Sequence, residues 1–538
     1  MPLRAAEYWE PSTILGSTFE RGNGTLFNPY VIHTAQQLAN FAYMVYESQD
    51  YFENRYIILD NDIVLNDDVI ANPSAAKPWM PIGKWGLFKD GKFLGSFDGR
   101  GHTIYGLYIS KDLRIEGYAG LFGTVKKNGE VKNLNVKDAV IDLSSFSGQN
   151  LYVGGIVGYT TDNAVVTNCS FEGNIYGNEN SRYQGGIVGF HTSCNAVLSC
   201  HFTGRVGAKP NDNAYCPGIA GGIAGYSSAS IVDCTATVNA LGSLNISDGY
   251  LGGIVGCGKS MVVNCVTNST DAEGDGCLIE GVNVKNVGGI AGWAQQLSHC
   301  RNYAEVQTDH ASLVLGGVAG SCNTVEYSAN FGRVYCVNEA YTRTINFVYM
   351  GGVTGQATEV KNCANYGFVD VPDMQWSKDN GADFIYTHCG GIAGHSSKIT
   401  GSFNVGKVRY ALFNYRGNWK THSYGVSRNM PTSHDNTYYL NTTSVAATAE
   451  GEGDMKAEIG ALQSESLLQT YESLWGMKWG IDQETKYPMP IKWGGVNREY
   501  AIYGMEGDGT EANPFRIVSA DMFLALNNGL RYSDTNLA

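Results

Sequence analysis

The chain has 538 residues, 43% hydrophobic and only 16% charged, and its 37 basic against 51 acidic residues leave a formal charge of −14. That excess of negative charge disfavours contact with a phosphate backbone, so nucleic acid is not an expected partner. No apolar run reaches the length of about 18 residues that a transmembrane helix needs, and the opening MPLRAAEYWEPSTILG lacks the apolar segment of a signal peptide.

Residues 1–20 read as a lead-in. From there GNGTLFNPYVIHTAQQLANFAYMVYES carries a Thr-x-x-Gln capping box at Thr34 and Gln37, with Leu38, Phe41, Ala42 and Val45 on one helical face. The pattern predicts a helix that covers the open N-terminal end of whatever it precedes. Next come NRYIILDNDIVL, a strand, and FLGSFDGRGHTIYGLYI, which has Asp-Gly turn chemistry between two β-rich runs. Residues 21–118 therefore read as the cap helix and the first coils.

Residues 119–425 repeat one phrase. Glycine pairs occur at Gly154-Gly155, Gly185-Gly186, Gly221-Gly222, Gly252-Gly253, Gly288-Gly289, Gly316-Gly317, Gly351-Gly352 and Gly390-Gly391, in steps of 28 to 39 residues. Such periods signal a solenoid or a propeller. An anchor follows 12 to 15 residues after each first glycine, at Cys169, Cys200, Cys234, Cys265, Cys300, Ser328, Cys363 and Ser402. The segments are short, β-branched and bounded by glycine, without a helical stripe. Each holds too few strand-like runs for a four-stranded propeller blade. The expected fold is all-β: a parallel β-solenoid, right-handed by the crossover preference, in which equivalent side chains form ladders. Strict alternation would turn Val166, Asn168 and Ser170 one way and Val165, Thr167, Cys169 and Phe171 the other. Glycine there serves to turn corners with positive φ and to allow close backbone approach.

Residues 426–498 read as a closing segment with a helix near 457–474 and the phrase YPMPIKW. Residues 499–538 begin a second, truncated module, because Gly507 to Ile517 repeats the framework of Gly22 to Ile32. The natural polypeptide is thus expected to run on past Ala538.

Gly-Gly-Ile-x-Gly followed by Cys-x-x-x-Gly-x-Val resembles the GLUG motif of bacterial surface and secreted proteins, including non-catalytic repeat regions associated with IgA-cleaving peptidases. The flanking phrases GTLFNPYVIHTAQQLANFA and YPMPIKW resemble the usual borders of such arrays, and the likeness covers residues 20 to 493. Ser328 and Ser402 in place of Cys, and Val318 and Val353 in place of Ile, depart from the pattern. The resemblance implies an extracellular or cell-surface location, a scaffold role, and a peptidase active site, if there is one, outside this chain.

No catalytic residue, metal site or cofactor emerges. Cys-x-x-Cys, His-Glu-x-x-His and Gly-x-Ser-x-Gly are missing. The anchor cysteines read as a ladder of small side chains filling the interior, while a loop disulfide stays open among Cys194, Cys216, Cys257, Cys277, Cys322, Cys336 and Cys389. Insertions between repeats gather aromatic residues, and Tyr215, Tyr341, Trp376 and Tyr386 are the candidate contacts for a glycan or a host or bacterial surface protein. The expected function is a non-catalytic, adhesin-like binding or spacer module, monomeric within a longer chain. The alternatives are a polysaccharide lyase or glycoside hydrolase using Asp370, Asp373, Asp379 and Asp383, or an accessory region of a secreted peptidase.

Overall fold

The structure is a computed structural model describing residues 8–440 and 456–490, except 11–12, 48–49, 85–90, 111–116, 148–150, 179, 210–217, 242–245, 269–275, 282–283, 309–313, 337–346, 371–385, 410–411, 416–417, 422, 428–435, 458, 477 and 483–486. The chain divides into two compact units, residues 1–439 with 443–452, and residues 440–442 with 453–538.

The first unit is a parallel β-solenoid. One ladder of ten strands runs from Tyr118–Ala119 through Leu151–Gly154, Ser181–Gly185 and their successors to Ser423–Tyr424, every pairing parallel. Immediately past each glycine pair a second ladder starts, joining Phe122, Val157, Val188, Ala224, Val255, Ala291, Ala319, Thr354 and Ala393 in register.

Steric crowding explains the glycines. A Cβ on Gly154 would lie 2.0 Å from the Val157 carbonyl oxygen, one on Gly155 would lie 2.2 Å from that of Gly186, and one on Gly158 would lie 2.9 Å from that of Tyr152. None of the three has a φ in the left-handed region. The pair therefore serves close approach between neighbouring walls, and positive φ is used elsewhere.

It is used at the residue before each anchor. Asn133, Asn168, Ser199, Asp233, Asn264, His299, Tyr327, Asn362, Gly401 and Asn436 have φ between 49° and 59°, a region where Gly, Asn and Asp are enriched. This residue breaks the strict alternation expected from the sequence. Val166 points inward and so do Cys169 and Phe171, while Val165 and Thr167 are half-buried on the other side. The left-handed step adds one residue to the wall and resets which parity faces the core.

Inside that step stands the anchor ladder. The Sγ–H of Cys169, Cys265, Cys300 and Cys363 has two carbonyl acceptors in reach, one two residues back in its own strand at 3.3 to 3.4 Å and one in the preceding coil, Val131, Ile231, Val262 and Val325, at 3.4 to 3.6 Å. At the serine positions the hydroxyl oxygens of Ser328 and Ser402 accept from the amides of Cys300 and Cys363 at 3.1 and 3.0 Å. Two members escaped the sequence pattern: Leu134, in register with Cys169, and buried Thr437, whose hydroxyl lies 3.5 Å from the Ile399 carbonyl as the cysteines do in earlier coils. All twelve described cysteines are free thiols, and only Cys194 is exposed. Burial pushes the Cys169, Cys234 and Cys265 thiols up and takes Cys322 to about 12.

Two residues past the anchor the core changes chemistry along the axis. Phe171 and Phe202 stack there at 6.3 Å in the N-terminal coils. In the C-terminal coils the same place holds Asn302, Asn330, Asn365 and Asn404, all fully buried. Asn302, Asn330 and Asn365 each donate Nδ2–H to the Oδ1 of the next at 2.8 to 2.9 Å, and all four donate to the carbonyl two residues on at 2.8 to 3.1 Å. Thr267 begins the row by donating its hydroxyl to Asn302 Oδ1 at 2.5 Å. The interior amides are thus satisfied by their own repetition, the condition for burying polar groups without penalty.

The N-terminal end is closed by the helix Ala35–Tyr46, which has the Thr34–Gln37 capping box and buries Leu38, Phe41, Ala42 and Val45. Phe41 packs on Phe93 and Phe97, and Phe97 on Phe122, so the helix seats on the first coils. Asp98 to Gly101 is no hairpin: Ser96–Asp98 and Thr103–Tyr105 each pair with Glu130–Asp142, making a corner within one coil. The second unit contains helices Ile459–Leu462 and Glu465–Trp475, the latter ending on left-handed Gly476, and a hairpin of Trp479–Ile481 with Pro488–Pro490. Tyr471 and Trp475 pack on Trp479 at 5.0 Å.

Two outcomes are expected. Asn330→Ala deletes the acceptor of Asn302 and the donor to Asn365, and at about 1 kcal/mol per bond plus unsatisfied partners it lowers stability by roughly 3 kcal/mol. Urea unfolding reads this, and an unchanged midpoint would refute the amide ladder. In native protein, iodoacetamide at pH 8 modifies Cys194 but not Cys169, Cys200, Cys234, Cys265, Cys300 or Cys363, which react only in denaturant; mass mapping that finds these six labelled natively would contradict the burial.

Candidate functional site

Of the four aromatic residues the insertions put forward, Tyr215, Tyr341 and Trp376 lie outside the described residues, as do Asp373, Asp379, Asp383 and Cys216. Tyr386 opens the strand Tyr386–Gly390 and its backbone is in register with Phe347. Asp370 is engaged between two guanidiniums, that of Arg333 and, at 3.3 Å, that of Arg409, with 10% of its side chain exposed. A carboxylate so paired is held by its wall rather than presented to a substrate.

The structure instead gathers aromatic residues at the glycine-pair corner. Two strands meet there so closely that side chains outside the wall touch across the bend. One row stands two residues before the first glycine: Tyr118, Tyr152 and Tyr183 stack at 5.2 and 5.6 Å with rings within 19° of parallel. The other stands five residues after it: Tyr159, Phe190 and Tyr226 stack at 5.7 and 4.7 Å. Across the bend the rows interlock edge-on, Tyr152 with Phe190 at 5.3 Å and Tyr183 with Tyr226 at 5.8 Å. Offset and edge-on contacts of this kind add about 0.5–1.5 kcal/mol per pair.

The seam continues with other chemistry in later coils. Ser321 donates to Asn286 Oδ1 at 2.5 Å, and Tyr349 contacts both His388 and His395. Because rings within a row cover one another's faces, their edges and hydroxyls are what a ligand would meet. Burial pushes the Tyr183 and Tyr226 phenols up, so both keep their protons and can donate. Cations rest against the seam: the Arg182 guanidinium is 5.4 Å from the Tyr183 ring, and Lys259 Nζ is 4.1 Å from the Trp293 ring. The signal was present in the sequence as an aromatic residue two before and five after the glycine pair, but it becomes a site only once the bend brings the two offsets together.

Directly behind Phe190, His191 is fully buried. Its Nε2–H donates to the Asn195 carbonyl at 2.7 Å, so its Nδ1 accepts from the Thr160 hydroxyl at 2.5 Å. Burial lowers its pKa, and the ring is neutral at pH 7.

A second concavity, an open depression of about 350 Å³ near the N-terminal end, is lined by Glu53, Arg55, Tyr56, Lys127 and Glu130 among others. Its carboxylates are taken: Glu53 pairs with Lys127 at 3.7 Å, and Glu130 with Lys132 and the Ser96 hydroxyl at 2.7 and 2.6 Å. Among the described residues no group of three His, Cys, Asp or Glu side chains is placed to hold a metal ion, and no helix is long and apolar enough to cross a membrane.

Stacked coils, thiol and amide ladders and an outer seam define a parallel β-solenoid repeat protein. Within it, residues 149–176 match the family model described as the GLUG motif. The chain is 32% identical over 158 residues to a protein of Evansella cellulosilytica provisionally described as a Gly-rich membrane protein, covering 29% of this chain and 16% of the relative. It is 30% identical over 160 residues to halomucin of Haloquadratum walsbyi, covering 30% of this chain and 2% of that protein. Among solved structures it matches, at 16% identity and a TM-score of 0.22, a Bacteroides ovatus protein provisionally described as an immunoglobulin A1 protease, over 88% of this chain and 96% of that one.

His191 gives the solenoid an acid-sensitive point. Its folded pKa is depressed, so its contribution is complete above the unfolded value of about 6.5 and is lost as pH falls through and below it. Unfolding midpoints should drop between pH 7.5 and 5.5, and His191→Gln should flatten that slope. An identical slope in the variant would contradict the assignment.

Proposed function

We propose that this chain is a non-catalytic β-solenoid module of a surface or secreted protein, acting as an adhesin-like binder and spacer. The observation that carries this reading is the in-register ladder. Side chains able to do chemistry, the anchor thiols and the core amides, are spent on coil-to-coil bonds inside the wall, and Asp370 is held by two arginines. What faces outward is a seam with stacked aromatic rings in the N-terminal coils, Arg182 and Lys259 beside it, and mixed polar and aromatic side chains in later coils. Ten strands at about 4.8 Å make a rod of roughly 45 Å, long enough to display a surface or to set a distance.

The relatives support a location at the cell boundary: one is described as a Gly-rich membrane protein and the other as a halomucin. The GLUG match supports a repeat scaffold. The test is to incubate the purified chain with intact bacterial and host cells and with a glycan array, following both retained protein and released products. Saturable retention without products is expected; oligosaccharide or peptide release in step with protein concentration would overturn the reading.

A further inference from the structure

We propose that the glycine-pair seam binds a sparsely charged acidic polysaccharide, one with a carboxylate or sulfate about every 10 Å; this rests on the surface-binding reading above. Three outward rows make up the strip. Two are the interlocked rows of the corner, and the third lies two residues further on, beginning at buried Lys126 and exposed from Ser228 through Lys259 to Ser397. Among the described residues of these rows, from Tyr118 to Ser397, no position is Asp or Glu, although the chain carries 51 of them. The strip is therefore a carboxylate-free track on an acidic molecule.

Its cations are placed rather than scattered. Arg182 is exposed at the point where the Leu151–Gly154 and Ser181–Gly185 strands slip register, an extra residue that bulges beside Tyr183. Lys285 holds the equivalent position, three residues before its glycine pair and beside Asn286. Lys259 is exposed in the third row. Ring contacts at 5.4 and 4.1 Å hold the Arg182 and Lys259 side chains over the seam before any ligand arrives.

Arg182 and Lys259 belong to coils two steps apart, which sets them about 10 Å apart along the solenoid axis at about 4.8 Å per step. A nucleic-acid strand carries a phosphate about every 3.4 Å, far denser than this track can neutralise, and the net −14 repels such a polymer. A linear polysaccharide with one acidic group per disaccharide fits the spacing. Its remaining hydroxyls meet phenol edges and the Ser, Thr, Asn and Gln side chains of the third row.

The experiment immobilises hyaluronan (carboxylate, one per disaccharide), chondroitin sulfate (sulfate as well), neutral dextran and single-stranded DNA on a biosensor. The full chain is compared with Arg182→Gln/Lys259→Gln and with Lys407→Gln, an exposed cation off the strip. All three side chains are exposed or half-exposed, and circular dichroism checks that the variants fold. The expected result is binding to either acidic polysaccharide, weakened at least about tenfold in the double variant, changed less than about twofold in Lys407→Gln, and lost as salt rises. Equal binding to dextran or DNA, or equal loss in both variants, would overturn the proposal. If wild type binds neither acidic polymer yet is still retained on cells, the strip is wrong and the surface reading stands; if retention on cells is absent too, both fall.

Discussion

Parallel stacking in register imposes one rule on this molecule: a side chain in a given place meets the same place of the coil before and the coil after. A residue survives there only if it packs against, or hydrogen-bonds to, copies of itself. Cysteine does so as a small apolar group whose Sγ–H reaches the preceding carbonyl, and asparagine because its amide is donor and acceptor at once. Tyrosine does so on the outside, by stacking. The three chemistries are separate solutions to one geometric demand. They explain why the repeat tolerates Ser328 and Ser402 in the thiol row, where the hydroxyl oxygen accepts from the anchor amide of the preceding coil.

The glycine pair is what brings the walls near enough for the rule to act. With backbone atoms 2.0 to 2.9 Å from where a Cβ would lie at Gly154, Gly155 and Gly158, any side chain would push the ladders apart at the corner. That same approach creates the seam, since Tyr152 and Phe190 can interlock only across a bend without intervening atoms. The architecture of the core and the candidate binding surface thus have a common cause. A binding strip made this way extends with the number of coils, which suits a polymer better than a compact ligand.

Much of the fold was legible because periodicity survives translation into structure: the phase of the glycine pairs and of Cys169, Cys200 and Cys234 is the phase of the coils. The Thr34–Gln37 box was legible because capping is local. What the sequence hid depended on conformation. The left-handed residue before each anchor is Asn, Ser, Asp, His, Tyr or Gly, so no single letter marks it, and it puts Val166 and Cys169 on the same side where strict alternation would part them. The amide row was hidden for another reason: it occupies only the later coils, where Asn302, Asn330, Asn365 and Asn404 follow the anchor by two. The seam needed two offsets, two before and five after the glycines, that nothing in one dimension relates. Aromatic insertions stand out in one dimension because length variation is conspicuous in a sequence, whereas a surface built from the repeat itself looks like scaffold.

The claim on which all of this stands is the uniform rise of in-register coils, and distances along the third outward row measure it. In a Cys194→Ser background, where the remaining described thiols are buried, nitroxides on Ser228 paired with Thr358 or Ser397 sit four and five coils apart. Pulsed dipolar spectroscopy should give separations near 19 and 24 Å, one strand spacing of about 4.8 Å apart. Separations that do not grow with coil number, or that differ by several strand spacings, would contradict the stacked solenoid and every ladder drawn from it.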